Sequence, residues 1–329
     1  VAVTLLGPQR RPAAARAAVA ERVPDGQIAT INAGWQEREP DTGELGRVLE
    51  GRMRNLELWA RWQQVLREDA EHARAEGELA AALEQQQRLY TLRLRHALAA
   101  LTAVARQDGD PEARTAALDD CLRVVRDLDD WHLARVSRLR TDFYLAVRLG
   151  ERPALRAQRE QVAEVVAGCR GVVVTGGHVG VLLHVLHLFD ARRLITDGPA
   201  GRAVIAWSAG AMACSERVVL YGDFAASGPL DPQYWAEGLG LYPRVLPFPH
   251  ARRRLDLDDR ERLGVLARRF APRRCLLLAD GERVDVGDAG ELPPAARTLE
   301  PSDPGRSPGT ASGSMISGTV TGDPVPSAS

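Results

Sequence analysis

The sequence predicts an α/β fold, a mostly parallel sheet with helices on both faces, interrupted by a large all-helical insertion. Two observations predict it. Short β-branched runs ending in Gly-rich or polar turns alternate with helical segments in both terminal parts of the chain, the pattern of strand-helix-strand units whose sheet is covered on both sides. From about Asp41 to Gly150 that texture gives way to Leu, Ala, Arg, Glu and Gln with apolar residues at helical spacing, as in Leu89, Leu92, Leu94, Leu98 and Leu101.

Taken in order, Val1 to Gly7 and Gln27 to Asn32 read as short buried strands with a crossover helix over Ala13 to Arg22 between them. They end in the turns Gly7-Pro8-Gln9-Arg10 and Ala33-Gly34-Trp35-Gln36-Glu37-Arg38-Glu39. The block 41–150 reads as three or four long helices. It is broken at Asp108-Gly109-Asp110-Pro111 and ends at Gly150-Glu151-Arg152-Pro153, each break putting a Pro near the first turn of a new helix, where its missing N–H costs nothing. Further strands are expected at Gly171–Thr175, Ala203–Trp207, Arg217–Tyr221, Arg244–Pro247, Cys275–Ala279 and Arg283–Val286. Gly, Pro and Ser rise after Gly287. The expected organisation is an α/β domain from 1–40 and 151–287, a helical insertion or cap at 41–150, and a disordered tail at 288–329.

At 329 residues the chain can bury a large core without disulfides. A hydrophobic share of 45%, a charged share of 26% and a net charge of -1 are ordinary for a soluble protein and give no long-range pull toward nucleic acid or membrane. Every basic side chain other than His is Arg, since the chain has no Lys, which excludes Schiff-base and Ser-Lys chemistry. Cys121, Cys169, Cys214 and Cys275 are scattered without a CxxC pair and are expected as buried thiols in a reducing cytosol. Val1 to Gly7 is short and has no basic leader, so no export is expected; Gly171 to Phe189, with its glycines and three histidines, reads as strand, loop and helix rather than a membrane span. His184 and His187 share a helical face near His178, but no carboxylate or Cys sits at matching spacing, so packed histidines are expected and no metal or cofactor.

The chemistry is concentrated in two turns. In Ala203-Val-Ile-Ala-Trp-Ser208-Ala-Gly-Ala-Met an apolar strand meets a Ser and then small residues that open a helix, the form of a nucleophile elbow, with Ala206 in the usual first glycine position. In Val172-Val-Val-Thr-Gly176-Gly177-His178 another strand ends in a glycine pair whose amides can approach a ligand closely, as an oxyanion hole requires. His250 follows the strand ending at Pro247, and Asp280 ends the strand of Cys275 to Ala279. Strand C-termini of an open parallel sheet converge on one edge, which allows Ser208, Gly177, His250 and Asp280 to meet.

These residues resemble the peptidase E and cyanophycinase family of serine peptidases over roughly Val162 to Val286. That family's glycine-pair turn is similar to Gly176-Gly177-His178, its Ser-Ala-Gly-Ala elbow to Ser208–Ala211, and its Gly-Leu-Gly-Leu segment before a catalytic His to Gly238-Leu239-Gly240-Leu241 and His250. The resemblance implies a flavodoxin-like fold akin to class I glutamine amidotransferases. It implies Ser208 as nucleophile, His250 as general base, Asp280 as the group orienting the imidazole, and the amides of Gly177 and Ala209 as oxyanion donors. Ser at the elbow sets the chain apart from amidotransferases that use Cys there; Cys214, a turn and a half later, reads as a core residue.

The chain departs from the family at three points. His178 stands where Asn, Gln or Asp is usual, Asp280 replaces a Glu and leaves Glu282 as the alternative orienter, and the block 41–150 is much longer than the family's connection. Substrate contacts are expected from His178, from Arg254 in the Arg252-Arg253-Arg254 run, from Trp35, and from Arg38 or Arg10 gripping a carboxylate; the alternatives are a solvated Arg run and a Trp35 that anchors the helical block. The expectation is a cytoplasmic, cofactor-free serine peptidase or amidase acting on a small peptide or amide substrate through an acyl-enzyme, with homodimerisation through the helical block as one use of that block. Two other readings stay open: an inactive member of the fold that binds a partner, and an amidotransferase-like subunit.

Overall fold

The computed structural model describes residues 2–9, 13–198, 202–221 and 231–301. In chain order its elements are β1 (Ala2–Leu6), α1 (Ala13–Arg22), β2 (Gln27–Ile31), a 3-10 segment (Ala33–Arg38), α2 (Gly43–Val48), β3 (Met53–Asn55), α3 (Leu58–Glu68), α4 (Ala70–Ala105), α5 (Pro111–Val147), a short 3-10 turn (Leu149–Glu151) and α6 (Pro153–Ala167). There follow β4 (Cys169–Val174), α7 (Val179–Leu188), α8 (Ala191–Thr196), β5 (Ala203–Trp207), α9 (Ala209–Cys214), β6 (Arg217–Leu220), β7 (Gln233–Glu237), β8 (Val245–Pro249), α10 (Ala251–Arg254), α11 (Arg260–Phe270), β9 (Arg274–Leu278) and β10 (Arg283–Val286).

The central sheet has the order β10-β1-β5-β4-β2-β3 and is parallel except for β10, which runs antiparallel to β1. β6 and β7 form an antiparallel pair and β8 and β9 a parallel one. The predicted α/β fold with a mostly parallel sheet is what the chain adopts. Side chains alternate across a strand, and both faces here are apolar. Val172, Val174, Val204 and Ala206 face a core shared with α3, α6, α7 and α9, whereas Val173, Ala203, Ile205 and Trp207 face a second core shared with α1 and α2. Among the described residues no helix is long and apolar enough to cross a membrane.

Three expected boundaries are corrected. The block 41–150 is not all helical, because Met53–Asn55 adds a parallel edge strand to β2; three residues are too few for a strand pattern to register in sequence. The expected tail begins too early, because Thr298 bridges Leu276, Leu299 donates its amide to the Cys275 carbonyl, and Leu299 is buried. The rest of the expected tail, 302–329, lies outside the described residues. β7, unforeseen, lies between the expected strands at Arg217 and Arg244 and pairs with β6.

The long helices α4 and α5 form a hairpin whose caps are Asp69, accepting from the His72 amide, and Asp110, accepting from the Ala113 amide, with Pro111 in the first turn as the sequence predicts. Two buried polar clusters fasten it. Asp129 of α5 pairs with Arg269 of α11 at 2.7 Å and accepts the Tyr90 hydroxyl of α4, also at 2.7 Å. Glu76 of α4 accepts from the Trp62 indole at 2.7 Å and lies 2.8 Å from His72 Nε2 and 3.2 Å from His184 Nε2. Burial alone would raise the Glu76 pKa, but the hydrogen bonds from His184, His72 and Trp62 outweigh it and bring it to about 2.

Candidate active site

Ser208 joins β5 to α9 with φ 50° and ψ -124°, a left-handed conformation that is costly for a residue with a Cβ. Small neighbours make the turn possible. A Cβ on Gly210 would lie 2.3 Å from the Val174 carbonyl oxygen and 2.5 Å from that of Thr175, and a Cβ on Gly176 would lie 2.8 Å from the Ser208 Cβ. The glycines thus let α9 and the β4 turn close on the serine from two sides.

His250 follows β8 with φ 60° and opens α10. Its Nε2 lies 3.2 Å from Ser208 Oγ, so the two groups are within hydrogen-bonding reach. The Tyr221 hydroxyl donates to the Pro249 carbonyl and buttresses the residue just before the imidazole. The Gly238-Leu239-Gly240-Leu241 segment acts at a distance: its amides donate to the carbonyls of Glu216, Ala213, Ser215 and Cys214, closing the orphaned C-terminal end of the helix that begins at the serine.

Parallel pairing of Pro249 with Leu278 puts His250 and Asp280 at the same end of β8 and β9. The side chains are not brought together. Asp280 is exposed, and Glu282 accepts from the Ala279 amide at 2.6 Å and pairs with Arg297 at 2.6 Å. Among the described residues no hydrogen bond or ion pair joins His250 to Asp280 or Glu282, so the expected orienting contact is not formed. Both carboxylates lie beyond the end of β9, in the reverse turn that leads into β10.

Gly177, with φ 113°, sits against Gly34, where a Cβ on Gly177 would come within 2.2 Å of the Gly34 carbonyl oxygen. The Gly34 oxygen accepts the His178 amide at 2.7 Å, and Gly177 lines the same cavity as Ser208. Ala209 is the first residue of α9, where an N–H has no intrahelical acceptor. His178 caps α7 by accepting the Val181 amide on Nδ1 at 3.1 Å. That bond requires an unprotonated Nδ1 and leaves Nε2–H as the donor of the neutral ring. Capping accounts for His at a position where Asn or Asp would serve the same purpose.

Ser208 and His250 open onto a cavity of about 780 Å³. Trp35, His178 and Arg254 line it, and so does Gln36, whose φ 56° and ψ -125° nearly repeat those of Ser208. Arg38 does not: it is largely exposed, lies 3.8 Å from Asp41, and lines a neighbouring hollow of about 450 Å³. Arg10 lies outside the described residues. The helical block is anchored from the Trp35 turn by Glu39, whose carboxylate accepts the Trp59 and Ala60 amides at the start of α3. Burial pushes the Glu39 pKa up.

Wall residues that sequence reasoning missed include Gln87 and Thr91 of α4 and Gln233 and Trp235 of β7. A polar Gln85-Gln86-Gln87 run within a Leu- and Ala-rich helix was the available signal. His184 and His187 lie away from the cavity; His187 Nε2 is 3.2 Å from the Glu237 carbonyl oxygen, and burial brings its pKa down to about 4. Among the described residues no cluster of His, Cys, Asp or Glu is arranged to hold a metal. Cys214 is buried in the core and its thiol is pushed up to about 12, which keeps it un-ionised.

Residues 144–290 match the family model of Peptidase family S51. A solved structure described as a peptidase from an acI-B1 Actinobacterium aligns over 92% of this chain and 95% of its own, with 12% identity and a TM-score of 0.43. The curated proteins contain no match.

Proposed function

We propose that this chain, whose residues 144–290 match the model of Peptidase family S51, is a serine-type peptidase or amidase of that family that cleaves a short or unusual peptide bond through an acyl-enzyme. The observation that carries this reading is the 3.2 Å approach of Ser208 Oγ to His250 Nε2 at the mouth of a cavity. In the proposed reaction Ser208 Oγ attacks the scissile carbonyl carbon while His250 Nε2 takes its proton. The amides of Gly177 and Ala209 hold the resulting oxyanion, and α9 presents the positive end of its peptide dipoles to it. His250 then passes the proton to the leaving amine. Water, deprotonated by the same imidazole, releases the acid and restores the serine.

Among the described residues lining the cavity there is no Asp or Glu, and Arg254 contributes the one guanidinium. That lining favours a substrate that brings oxygen acceptors or negative charge, held by Arg254 and by His178 Nε2–H. The α4 wall makes the helical hairpin a cap that limits substrate size. The test is intact-mass labelling with an alkyl fluorophosphonate. Single-site modification that disappears in folded Ser208→Ala and His250→Ala proteins is the expected result; labelling that persists without Ser208 overturns the reading.

A further inference from the structure

We propose that Gln233 and Trp235 form an oxygen-binding subsite of this cavity, built by α4, that selects substrates carrying a carbonyl or carboxylate oxygen away from the scissile bond; it rests on the Ser208 reading above. In β7 Trp235 is the extra residue at a bulge, skipped between the Val218–Ala236 and Val219–Tyr234 pairs, and Gln233 and Trp235 both line the cavity while Tyr234 between them is buried edge-on against Phe270. Gln233 is only 5% exposed. Its Oε1 accepts from Gln87 Nε2 at 2.8 Å and lies 2.6 Å from the Thr91 hydroxyl, so α4 holds the oxygen and leaves the NH₂ of this cavity-lining residue to donate elsewhere. Among the described residues that NH₂ has no acceptor.

Trp235 supplies the second donor. Its indole N–H is buried and has no acceptor among the described residues. Ring atom Cζ2, on the nitrogen-bearing edge, lies 3.5 Å from where a Cβ on Gly180 would sit, so that edge faces the first turn of α7 beside His178. An unpaired buried donor carries its full desolvation penalty, and a ligand oxygen relieves it. Gln233 and Trp235 thus bring two N–H donors to a cavity with no Asp or Glu among its described lining residues, which suits an oxygen acceptor and rejects an ammonium group or a plain hydrocarbon. Gln233 and Trp235 are the contacting residues; Gln87 and Thr91 position Gln233.

The test compares two fluorophosphonates of equal length, one with a plain alkyl tail and one with an amide carbonyl in the tail, by their labelling rates at Ser208. The amide probe is expected to react about fivefold faster with the wild-type protein, the scale of one or two neutral hydrogen bonds. That ratio is expected to fall toward one in Gln233→Leu and in Trp235→Phe, which keeps the ring, and to fall partway in Thr91→Val. Because the readout is a ratio, a general change in Ser208 reactivity cancels. Equal rates for the two probes in wild type, or a ratio untouched in all three variants, overturn the subsite while leaving the nucleophile intact. If neither probe labels the folded wild-type protein, the Ser208 reading fails and the subsite falls with it.

Discussion

Ser208 and His250 meet with Oγ and Nε2 3.2 Å apart, and each holds its place through a positive φ, 50° at the serine and 60° at the histidine. Two side-chain-bearing residues in such conformations are kept there only when their surroundings over-determine them. Replacing either by Ala is therefore expected to leave the fold intact and to lower turnover by about four to six orders of magnitude. Steady-state hydrolysis of whichever peptide a screen selects, with circular dichroism on the same samples, checks it.

Asp280 is expected to matter far less. Its side chain faces solvent and makes no bond to the imidazole, so Asp280→Asn should lower the fluorophosphonate labelling rate by less than about tenfold, against orders of magnitude for His250→Ala. A loss as large as that of the histidine variant would show that the carboxylate reaches the ring during the reaction.

Gly210 allows α9 to sit against the end of β4. Since a Cβ there would meet two backbone carbonyl oxygens at 2.3 and 2.5 Å, no flexible side chain can give way. Gly210→Ala is expected to cost about 2–3 kcal/mol in denaturant unfolding, and to slow labelling of Ser208 as the turn shifts.

The buried Asp129–Arg269 pair should respond asymmetrically. Arg269→Met leaves a buried carboxylate without its cation and is expected to destabilise by about 3–5 kcal/mol, while adding Asp129→Leu should recover most of the loss. Unfolding of the two single variants and the double variant measures it; equal destabilisation by single and double changes would refute it.

Acid should weaken the fold through His132. Burial brings its pKa down to about 4 from 6.5, and the ring stacks on Tyr90 at 4.0 Å. A group depressed in the folded state binds its proton first in the unfolded one, so its contribution is complete above pH 6.5 and is lost as the pH falls to 4. The loss amounts to about 3 kcal/mol. His132→Phe, which keeps the stack, is expected to flatten that part of the stability profile.

Local patterns were enough to read much of this protein. The Ala203–Trp207 strand, the small residues after Ser208 and the glycine pair at Gly176 are consequences of steric rules acting within a few residues, so their sequence states them directly. Pro111 and Pro153 fixed helix starts for the same reason. The convergence of β5 and β8 that brings Ser208 to His250 was expected from strand ends sharing one edge.

What the tertiary structure alone decided are the relations between distant segments. Whether Asp280 touches His250 depends on where the turn after β9 aims a side chain, and the structure aims it at solvent. That Arg38 lines the neighbouring hollow rather than the cavity at Ser208, and that Gln87 and Thr91 reach Gln233 across 146 and 142 residues of chain, follow from how the helical hairpin docks. Docking is set by buried contacts such as Tyr90–Asp129–Arg269. Periodicity identifies a helix and its apolar stripe, but the partner of that stripe is chosen by packing and by satisfaction of buried polar groups, which no local window of sequence contains.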